Sequence, residues 1–362
     1  MKNLTNSNRL FFEGLIIIIL IVLMGTVNLY SALYSEGAVS SIFYKHIIFI
    51  FLGVLSALLI QIVNNSYIEN ISRDAFIVCV ILLVMVLFFG KRVYGAKRWL
   101  GTASISFQPS ELIKLVLIFY LARFYRYMPL CEGGYRLNHL VLPFAIVLAP
   151  TILIAKQPDL GTALIVFFTA FFMILLLGIN RRLLVGTLAL FIVLSPVTWH
   201  FLKDYQKRRV YAFLSPESDP LGSGYHTIQA NIAVGTGGFS GKGFLKGVQS
   251  KLGFIPEKHT DFAFSVFAEE WGFIGVLVYF VLNLLLIHWM FKVVKNIKDR
   301  FVFLAGAGII ILFSLHFVVN LAMVSGMFPV VGVPLPLFSY GGTALIVHFT
   351  ALGFMLKLSR TY

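Results

Sequence analysis

Charged residues are scarce in this chain of 362 amino acids, in which Asp, Glu, Lys and Arg make up 12%. Soluble domains carry about a quarter charged residues. Hydrophobic residues make up 59% and recur in long runs, which predicts a polytopic helical membrane protein. The short alternating strands of a closed membrane barrel are missing. Because the first apolar run is too long for a cleaved signal peptide and no small-residue cleavage site follows it, we expect a retained anchor.

Cysteine is also rare, and the two residues, Cys79 and Cys131, lie in an apolar run and a basic loop. They indicate neither a disulfide framework nor a metal site. The spacing of a P-loop is absent, and no matching pair of broken helices indicates a transporter. The net charge of +14 is explained better by loop charge bias and anionic lipid than by nucleic acid.

Ten apolar runs each approach the ~20 residues needed to span hydrocarbon. They lie at 13–34, 44–63, 75–90, 110–127, 140–155, 160–179, 183–202, 262–291, 301–326 and 340–358. The sequence therefore predicts an all-α membrane protein, a bundle of ten transmembrane helices in a single domain over residues 1–362. A large extracytoplasmic loop at about 203–261 lies between helices 7 and 8.

The orientation follows from Lys and Arg near the helix ends. An even number of spans places both termini on one side, which carries fourteen such cations against six in the opposite short loops. Long loops translocate largely regardless of charge, so the loop at 203–261 does not enter this comparison. We therefore expect a multi-pass protein of the bacterial cytoplasmic membrane, with both termini cytoplasmic and the long loop outside.

Four of the six outer cations crowd into Lys91-Arg92 and Lys97-Arg98, beside Trp99. This placement runs against the topological bias. It is either a solvated loop or an anion site, because fixed cations near lipid hold phosphate well. Trp99 also suits an aromatic interfacial anchor.

The fourth apolar run begins with polar residues, in the segment 108–114. Ser110 can cap a helix whose incoming chain ends at Pro109. Glu111 and Lys114 are then i,i+3 neighbours on one helix face. The pair either faces a wet cavity or only holds helices together.

Three further outer segments carry polar residues. In KQPDLGT, which starts at Lys156, Asp159 is favoured as the N-cap of the next helix. The run Lys207-Arg208-Arg209 is either a phosphate contact or a solvated charge run. In 328–343 three prolines forbid a regular helix, and Ser339 with the following glycines opens the last span, either as an anion seat or as a capped start.

The polar, glycine-rich stretch 235–270 contains Asp261 at the mouth of the eighth run. This carboxylate is either a helix cap or a catalytic base. Cations, an apolar groove and one carboxylate suit a lipid-linked pyrophosphate. Glycosyl transfer from such a donor needs one base, since cations or a metal can stabilise the leaving pyrophosphate. His259 is a further candidate, although a histidine near an interface is more often structural.

Seven motifs resemble one known family. They are KRWLG (97–101), QPSELIK (108–114), KQPDLGT (156–162), RRVYAFLSPESDPLGSGY (208–225), IQANIAVGTGGFSGKG (228–243), LGFIPEKHTDFAFSVFAEEWGF (252–273) and GVPLPLFSYGGT (332–343). Together they resemble the SEDS family of shape, elongation, division and sporulation proteins (RodA, FtsW and SpoVE) over nearly the whole chain. KQPDLGT favours the RodA elongation-type branch over the FtsW division type.

The resemblance implies a ten-helix bundle that acts as a peptidoglycan glycosyltransferase, polymerising lipid II at the outer face of the cytoplasmic membrane. The family's essential aspartate falls on Asp261, its functional tryptophan on Trp99, and its charged pair on Glu111 and Lys114. Thr343 and Ala230 replace serines that the family often has, which we expect to be tolerated.

The resulting expectations are specific. Asp261 is the general base on the acceptor hydroxyl. The expected substrate-binding residues are Lys97, Arg98, Trp99, Gln108, Ser110, Glu111, Lys114, Lys156, Arg208 and Ser339. No metal ligand and no resident cofactor are expected. Whether a divalent cation assists the pyrophosphate is left open. Expected partners are lipid II, a class B penicillin-binding protein transpeptidase, elongation-complex membrane proteins and membrane lipid, without nucleic acid. The alternatives are a flippase of the lipid-linked precursor and a non-catalytic scaffold.

Overall fold

The protein is described by a computed structural model that covers most of the chain. The described residues are 2–35, 37–93, 96–101, 106–128, 134–178, 180, 185–186, 193, 200, 204–218, 222–255 and 257–361. The predicted seventh span at 183–202 lies almost entirely outside them, as do Cys131 and the side chain of Arg92.

Helices make up most of the described chain. Their bounds are α1 Lys2–Leu33, α2 Ser41–Ile62, α3 Asn65–Phe89, α4 Pro109–Arg126, α5 Leu137–Lys156, α6 Leu160–Leu176, α7 Asp204–Leu214, α8 Ser223–Thr236, α9 Val248–Lys251, α10 Ala263–Val294, α11 Arg300–Val324 and α12 Gly342–Thr361. Most predicted spans agree with these bounds within a few residues, because the membrane requires about 20 apolar residues of continuous helix. The predictions at 13–34 and 75–90 are too short, since α1 begins eleven residues earlier, at Lys2, and α3 begins ten residues earlier, at Asn65.

Seven of the described helices are long and apolar enough to cross a membrane: α1, α2, α3, α5, α10, α11 and α12. α6 is apolar but 17 residues long. α4 has 18 residues and contains Glu111, Lys114, Arg123 and Arg126, which lower its hydropathy. The protein is therefore a multi-pass membrane protein whose most polar long helix is α4.

Burial separates the helices at the centre of the bundle from those at its edge. In the most apolar 18-residue window of each helix, 83% of the residues are buried inside the protein in α12 and 67% in α11, but only 17% in α2. α4 is central as well, because both Glu111 and Lys114 are buried there among leucine and isoleucine side chains. α2 presents large apolar side chains outward, including Phe51 at 68% exposure, as expected of a helix that faces lipid.

Short strands occupy two connections, which qualifies the all-α expectation. β1 (Tyr34–Ser35) and β2 (Ala38–Val39) form a hairpin between α1 and α2. β3 (Lys91–Val93), β4 (Ala96–Gly101) and β5 (Ser106–Phe107) form a three-stranded antiparallel sheet between α3 and α4. Pairing gives backbone groups at the membrane surface hydrogen-bond partners that an irregular loop would need water to supply.

The glycine-rich stretch is ordered against the start of α10 rather than extending freely into solvent. The backbone N–H groups of Lys242 and Gly243 donate to the carbonyls of Glu269 and Glu270, at 3.0 and 2.9 Å. The buried Glu269 carboxylate also accepts from Lys242 Nζ at 2.7 Å. Gly272 interrupts α10 with φ 61° and ψ −162°, a conformation that favours glycine. This break separates the short start of α10, which contains Glu269 and Glu270, from its long apolar remainder.

The segment 327–341 between α11 and α12 is not helical, as its prolines predict. Its central part, which includes Leu335, Leu337 and Phe338, is buried inside the protein. Irregular backbone at membrane depth is tolerated only where protein or a cavity surrounds it. Gly161 at the start of α6 touches this segment, since a Cβ there would lie 2.2 Å from the Val331 carbonyl oxygen. The segment therefore brings α6, α10, α11 and α12 together at one end of the bundle.

Candidate functional site

Asp261 lies in the turn that precedes α10 and does not cap that helix. α10 begins at Ala263, and its N-cap position is occupied by Phe262, which makes no side-chain capping bond. The Asp261 main-chain oxygen instead accepts from Nδ2 of Asn320 at 2.9 Å, and the same nitrogen donates to Val333 O at 2.6 Å. The cap interpretation of Asp261 is thus wrong, and its carboxylate is left for another role.

The Asp261 carboxylate lies against Gly332. A Cβ built at Gly332 would lie 3.2 Å from Oδ2 of Asp261, tighter than most real Cβ contacts. Gly332 also has φ +74°, which other residues adopt rarely. Glycine at this position therefore makes room for the carboxylate and permits the local turn.

The charge state of Asp261 is strongly affected by its surroundings. Burial raises the pKa of this half-buried carboxyl group from 3.8 to about 7. The neighbouring acids Glu257 and Asp159 also raise the pKa, whereas Arg98 and Arg209 lower it. A carboxylate that titrates near neutrality can accept a proton during a reaction at physiological pH.

Arg98 and Asp159 connect the outer sheet to the start of α6. Nη1 of Arg98 lies 3.9 Å from Oδ1 of Asp159, and its Nη2 donates to the carbonyl of Pro158. Asp159 accepts from Thr162 N at 3.4 Å, which confirms it as the N-cap of α6. Nε2 of Gln108 donates to Oδ2 of Asp159 at 3.1 Å. Arg98 and Gln108, both expected at the site, are thus held by one buried carboxylate.

The basic run of α7 contributes Arg209 rather than the expected Arg208. Arg208 is exposed, whereas Arg209 is half-buried and close enough to lower the pKa of Asp261. Consecutive residues point about 100° apart around a helix, so only one of the two can face Asp261. The sequence identified this run as a candidate phosphate contact through Arg208. The structure places the neighbouring Arg209 on the side of Asp261, and a substrate contact of Arg208 stays a prediction.

Ser110 does not cap α4, and Pro109 does not end the incoming chain. α4 begins at Pro109, with Gln108 in the N-cap position. Proline suits the first helical position because its fixed φ is helical and it lacks only an N–H that would be unpaired there. Ser110 is fully buried, and its Oγ accepts from Nε2 of Gln108 at 3.0 Å. Ser110 therefore holds the side chain of Gln108 in place through this hydrogen bond.

The predicted Glu111–Lys114 pair is present, and a third side chain, from α11, joins it. Lys114 Nζ lies 2.8 Å from Oε2 of Glu111, with both side chains buried, and 3.0 Å from Nε2 of His316 on α11. The His316 ring packs edge-on against that of His348 on α12, at 5.1 Å between centroids. The sequence did not identify the two histidines, because isolated histidines in apolar runs carry no local signal.

The other expected substrate-binding residues are spread over this end of the bundle. Nζ of Lys97 donates to the carbonyls of Leu87 and Phe88, at 3.3 and 3.4 Å, and so caps the end of α3. Trp99 is half-buried on β4. Lys156 is exposed at the end of α5. Ser339 is buried, and its Oγ accepts from Leu335 N at 3.2 Å; it lies three residues before α12, so it does not open that helix.

His259 connects the turn before α10 to the irregular segment 327–341. Its carbonyl accepts from Tyr340 N at 2.8 Å, and the two rings lie 6.0 Å apart. Burial lowers the pKa of His259 below its ordinary value, although the nearby Glu257 raises it. A neutral imidazole with this main-chain bond supports the structural interpretation of His259.

Taken together, the site contains a carboxylate that titrates near pH 7 and two guanidinium groups that act on it. Such an arrangement can accept a proton and can stabilise negative charge that develops on an adjacent phosphate. Within the described ranges, no group of three or more His, Cys, Asp or Glu side chains is placed to hold a metal ion.

Comparison with known sequences supports this interpretation. The profile of the family described as cell cycle protein FTSW_RODA_SPOVE matches residues 10–362. Peptidoglycan glycosyltransferase MrdB of Escherichia coli K12 is 39% identical over 306 residues, 84% of this chain and 82% of MrdB. FtsW of Trichlorobacter lovleyi, described as a probable peptidoglycan glycosyltransferase, is 34% identical over 324 residues, 87% of this chain and 82% of that protein.

Solved structures agree with the sequences. One solved structure concerns the structural coordination of polymerization and crosslinking by a peptidoglycan synthase complex. A chain of that structure superimposes on this chain with a TM-score of 0.84, at 32% identity and 97% coverage of both chains. The rod shape determining protein RodA of Thermus thermophilus superimposes with a TM-score of 0.70, at 29% identity, covering 96% of this chain and 95% of that one. By sequence and by fold, this chain belongs to the FtsW/RodA/SpoVE family of cell cycle proteins.

Proposed function

We propose that this protein is a peptidoglycan glycosyltransferase that polymerises lipid II into glycan strands during cell elongation. One observation supports this function most directly: Asp261 has its pKa raised to about 7 by burial, and the cations Arg98 and Arg209 are within electrostatic range of it. The name of the MrdB relative and the sequence resemblance to the RodA branch support the same activity.

In the proposed reaction, Asp261 is the general base. The acceptor sugar hydroxyl transfers its proton to the Asp261 carboxylate as its oxygen attacks the anomeric carbon of the donor. The bond between that carbon and the diphosphate oxygen breaks, and its electron pair leaves with the lipid diphosphate. Arg98 and Arg209 stabilise the charge that develops on this leaving group. A second acidic side chain is unnecessary because the diphosphate is already a stable anion.

A divalent cation at the diphosphate is also a proposal. Mg²⁺ in phosphoryl sites commonly uses one or two carboxylates together with substrate phosphate oxygens. Asp261 has the donor chemistry for such contacts, whereas Asp159 already accepts from Gln108 and from the α6 backbone. Because the described residues show no fuller ligand set, the step above is written with protein cations alone.

We propose that ten helices cross the bacterial cytoplasmic membrane, with the seventh at 183–202 and both termini cytoplasmic. The excess of Lys and Arg near the helix ends on the terminal side supports this orientation. Asp261, the outer sheet and α7 to α9 would then lie on the extracytoplasmic side. This arrangement exposes the site to lipid II that has already crossed the membrane.

The proposed partner is a class B penicillin-binding protein, which would supply transpeptidation, together with other membrane proteins of an elongation complex. The similar chain from a peptidoglycan synthase complex that coordinates polymerization and crosslinking supports a partner of this kind.

The test is polymerisation of purified lipid II in proteoliposomes, with and without the penicillin-binding partner. We expect the wild-type chain to form glycan strands and Asp261→Asn to form none, while inserting normally. Asp74→Asn is the matched control, because Asp74 lies near the opposite end of the bundle and its side chain is 67% exposed. It should retain the wild-type rate.

Two outcomes would defeat the proposal. Strand synthesis by Asp261→Asn at the wild-type rate would remove the general-base role and favour a scaffold. Transport of fluorescent lipid II across the liposome bilayer, dependent on this protein and without strand synthesis, would indicate a flippase.

A further inference from the structure

An open groove with a volume of about 400 Å³ lies between α3 and α4, far from Asp261. Its lining consists of Arg73, Tyr120, Arg123, Phe124, Tyr127 and Met128. Arg73 precedes the outer end of α3, Phe89, by 16 residues. A helix rises 1.5 Å per residue, so the groove lies about 24 Å from that end, close to the thickness of a bilayer core.

The groove has two arginines from different helices. Nη1 of Arg123 donates to the carbonyls of Glu69 and Asn70, at 3.3 and 2.6 Å, which orients the guanidinium. Nε of Arg73 donates to Asp74 at 3.0 Å, in a pair whose side chains are 59% and 67% exposed. Such an exposed pair contributes only about 0–1 kcal/mol, and a guanidinium has five N–H donors. Arg73 can therefore also bind a phosphate.

The buried acid Glu69 adjoins the groove, because its carboxylate is hydrogen-bonded to the hydroxyl of the lining residue Tyr127, but its charge is paired with a different arginine. Oε2 of Glu69 lies 2.6 Å from Nη1 of Arg126, and Arg126 also pairs with Asp299 at 3.3 Å. The six lining residues include two cations and no carboxylate. The groove is therefore complementary to an anion.

The rest of the lining is apolar and continues into the lipid-facing surface. Tyr120 stacks on Phe76 of α3, with ring centroids 4.8 Å apart. Farther along α3, Ile77 and Ile81 are 49% and 53% exposed, as expected for side chains in contact with acyl chains. A ligand that fits both parts carries an anionic head at the arginines and a hydrocarbon tail along the helices.

We propose that this groove is a binding site for an anionic glycerophospholipid, whose phosphate contacts Arg73 and Arg123. Arginine binds phosphate with two parallel hydrogen bonds, and basic pockets between transmembrane helices suit anionic head groups. The proposed orientation places the site in the cytoplasmic leaflet, but lipid binding does not depend on the catalytic role of Asp261.

The experiment is native mass spectrometry of the full chain released from detergent micelles that contain phosphatidylglycerol or phosphatidylcholine. We expect the wild-type protein to retain phosphatidylglycerol about tenfold more strongly, because phosphatidylcholine has no net charge. Arg73→Gln should lose part of this preference and Arg73→Gln/Arg123→Gln nearly all of it. Arg9→Gln is the matched control, since Arg9 has a 78% exposed side chain at the same end of the bundle. It should keep the preference.

The fold of each variant is checked by its melting temperature. If the double variant is destabilised, Arg73→Glu and Arg123→Lys replace it, with expected loss and retention of the preference, respectively. Unchanged phosphatidylglycerol retention in Arg73→Gln and Arg73→Glu would overturn the proposal, as would equal binding of phosphatidylcholine by the wild type. Displacement of the lipid by millimolar inorganic phosphate would indicate a site for phosphate alone. Asp261→Asn should bind the lipid normally, which separates this result from the test of catalysis.

Discussion

Nζ of Lys114 on α4 lies 3.0 Å from Nε2 of His316 on α11, inside the bundle. Nδ1 of His316 lies 2.9 Å from the Leu312 carbonyl, so the proton belongs on Nδ1 and Nε2 accepts from the lysine. Lys114 is thus held by Glu111 and His316 together. This buried cation connects two central helices, and its charge is compensated by one carboxylate.

We expect Glu111→Gln to destabilise the protein by about 3–5 kcal/mol, because it leaves the Lys114 cation buried without a counter-charge. Glu111→Gln/Lys114→Met should recover most of that loss, because it removes both charges. The measurement is the free energy of unfolding in a double-mutant cycle. Glu13→Gln is the control, because the Glu13 side chain is 33% exposed and pairs with Arg9 and Lys292 at the surface, so it should change stability by less than about 1 kcal/mol. Equal destabilisation by the single and double variants would contradict the electrostatic explanation.

The polymerisation rate should depend on the ionisation of Asp261. A general base must be deprotonated, and burial raises the pKa of Asp261 to about 7. We therefore expect kcat/KM to rise with pH through about 7 and to level off above it. The measurement is the initial rate of strand synthesis between about pH 5 and 9. A rate that does not change across this range would remove Asp261 from the proton transfer.

Removing the Arg209 charge should shift that profile to higher pH. Arg209 lowers the pKa of Asp261, so Arg209→Gln should leave more of the carboxyl group protonated at pH 7. We expect the rate at pH 7 to fall about three- to tenfold. Arg208→Gln is the matched control, since Arg208 is the exposed neighbour on α7. A profile of Arg209→Gln that matches the wild-type profile would show that its guanidinium does not act on Asp261.

Asp261→Asn should stabilise the folded protein at pH 8 while it abolishes activity. The pKa of Asp261 is higher in the folded than in the unfolded chain, so the folded state loses stability as the pH rises from about 4 to about 7. A neutral amide avoids that loss, which we place at about 1–2 kcal/mol for a half-buried group. The measurement is Tm at pH 8 and at pH 5. A Tm difference between variant and wild type that does not grow with pH would contradict this account.

Asn320 should affect catalysis without contacting substrate. Its Nδ2 joins the main chain of Asp261 to that of Val333, so Asn320→Leu should displace Asp261 and leave two carbonyls unpaired. We expect kcat to fall at least about tenfold, with a smaller change in KM. Asn283→Leu is the control, because Asn283 donates to Tyr279 O of its own helix at 2.9 Å rather than to a distant segment of the described chain. An equal loss of kcat in both variants would indicate general destabilisation.

Features that depend on a short stretch of chain were predictable. The apolar runs predicted the described spanning helices, the three prolines predicted the irregular segment 327–341, and Asp159 was predicted as the N-cap of α6. In each case the cause is local, either the hydrocarbon thickness or the geometry of a few residues. Ser110 was misplaced even so, because either it or Gln108 can precede a helix that starts with proline.

Features that depend on distant contacts were not predictable. From the residues alone Asp261 suited a cap as well as a base, and only the family resemblance favoured the base. The structure shows that Phe262 takes the N-cap position and that Asn320, 59 positions away, holds the Asp261 main chain. Arg208 was preferred to Arg209, since the side of α7 that faces Asp261 depends on how this helix packs. His316 went unnoticed because its partner Lys114 lies on a different helix.

The sequence by itself determined that this is a helical membrane protein. Backbone polar groups in lipid are satisfied only in helices or closed barrels, and a chain with 12% charged residues and long apolar runs, without the alternating strands of a barrel, fits the helices. Its motifs also identified the polar end of the bundle and Asp261 within it. Only the tertiary structure decided which cations act on that carboxylate and how far burial raises its pKa, since both depend on side chains from separate helices that meet only in the packed bundle.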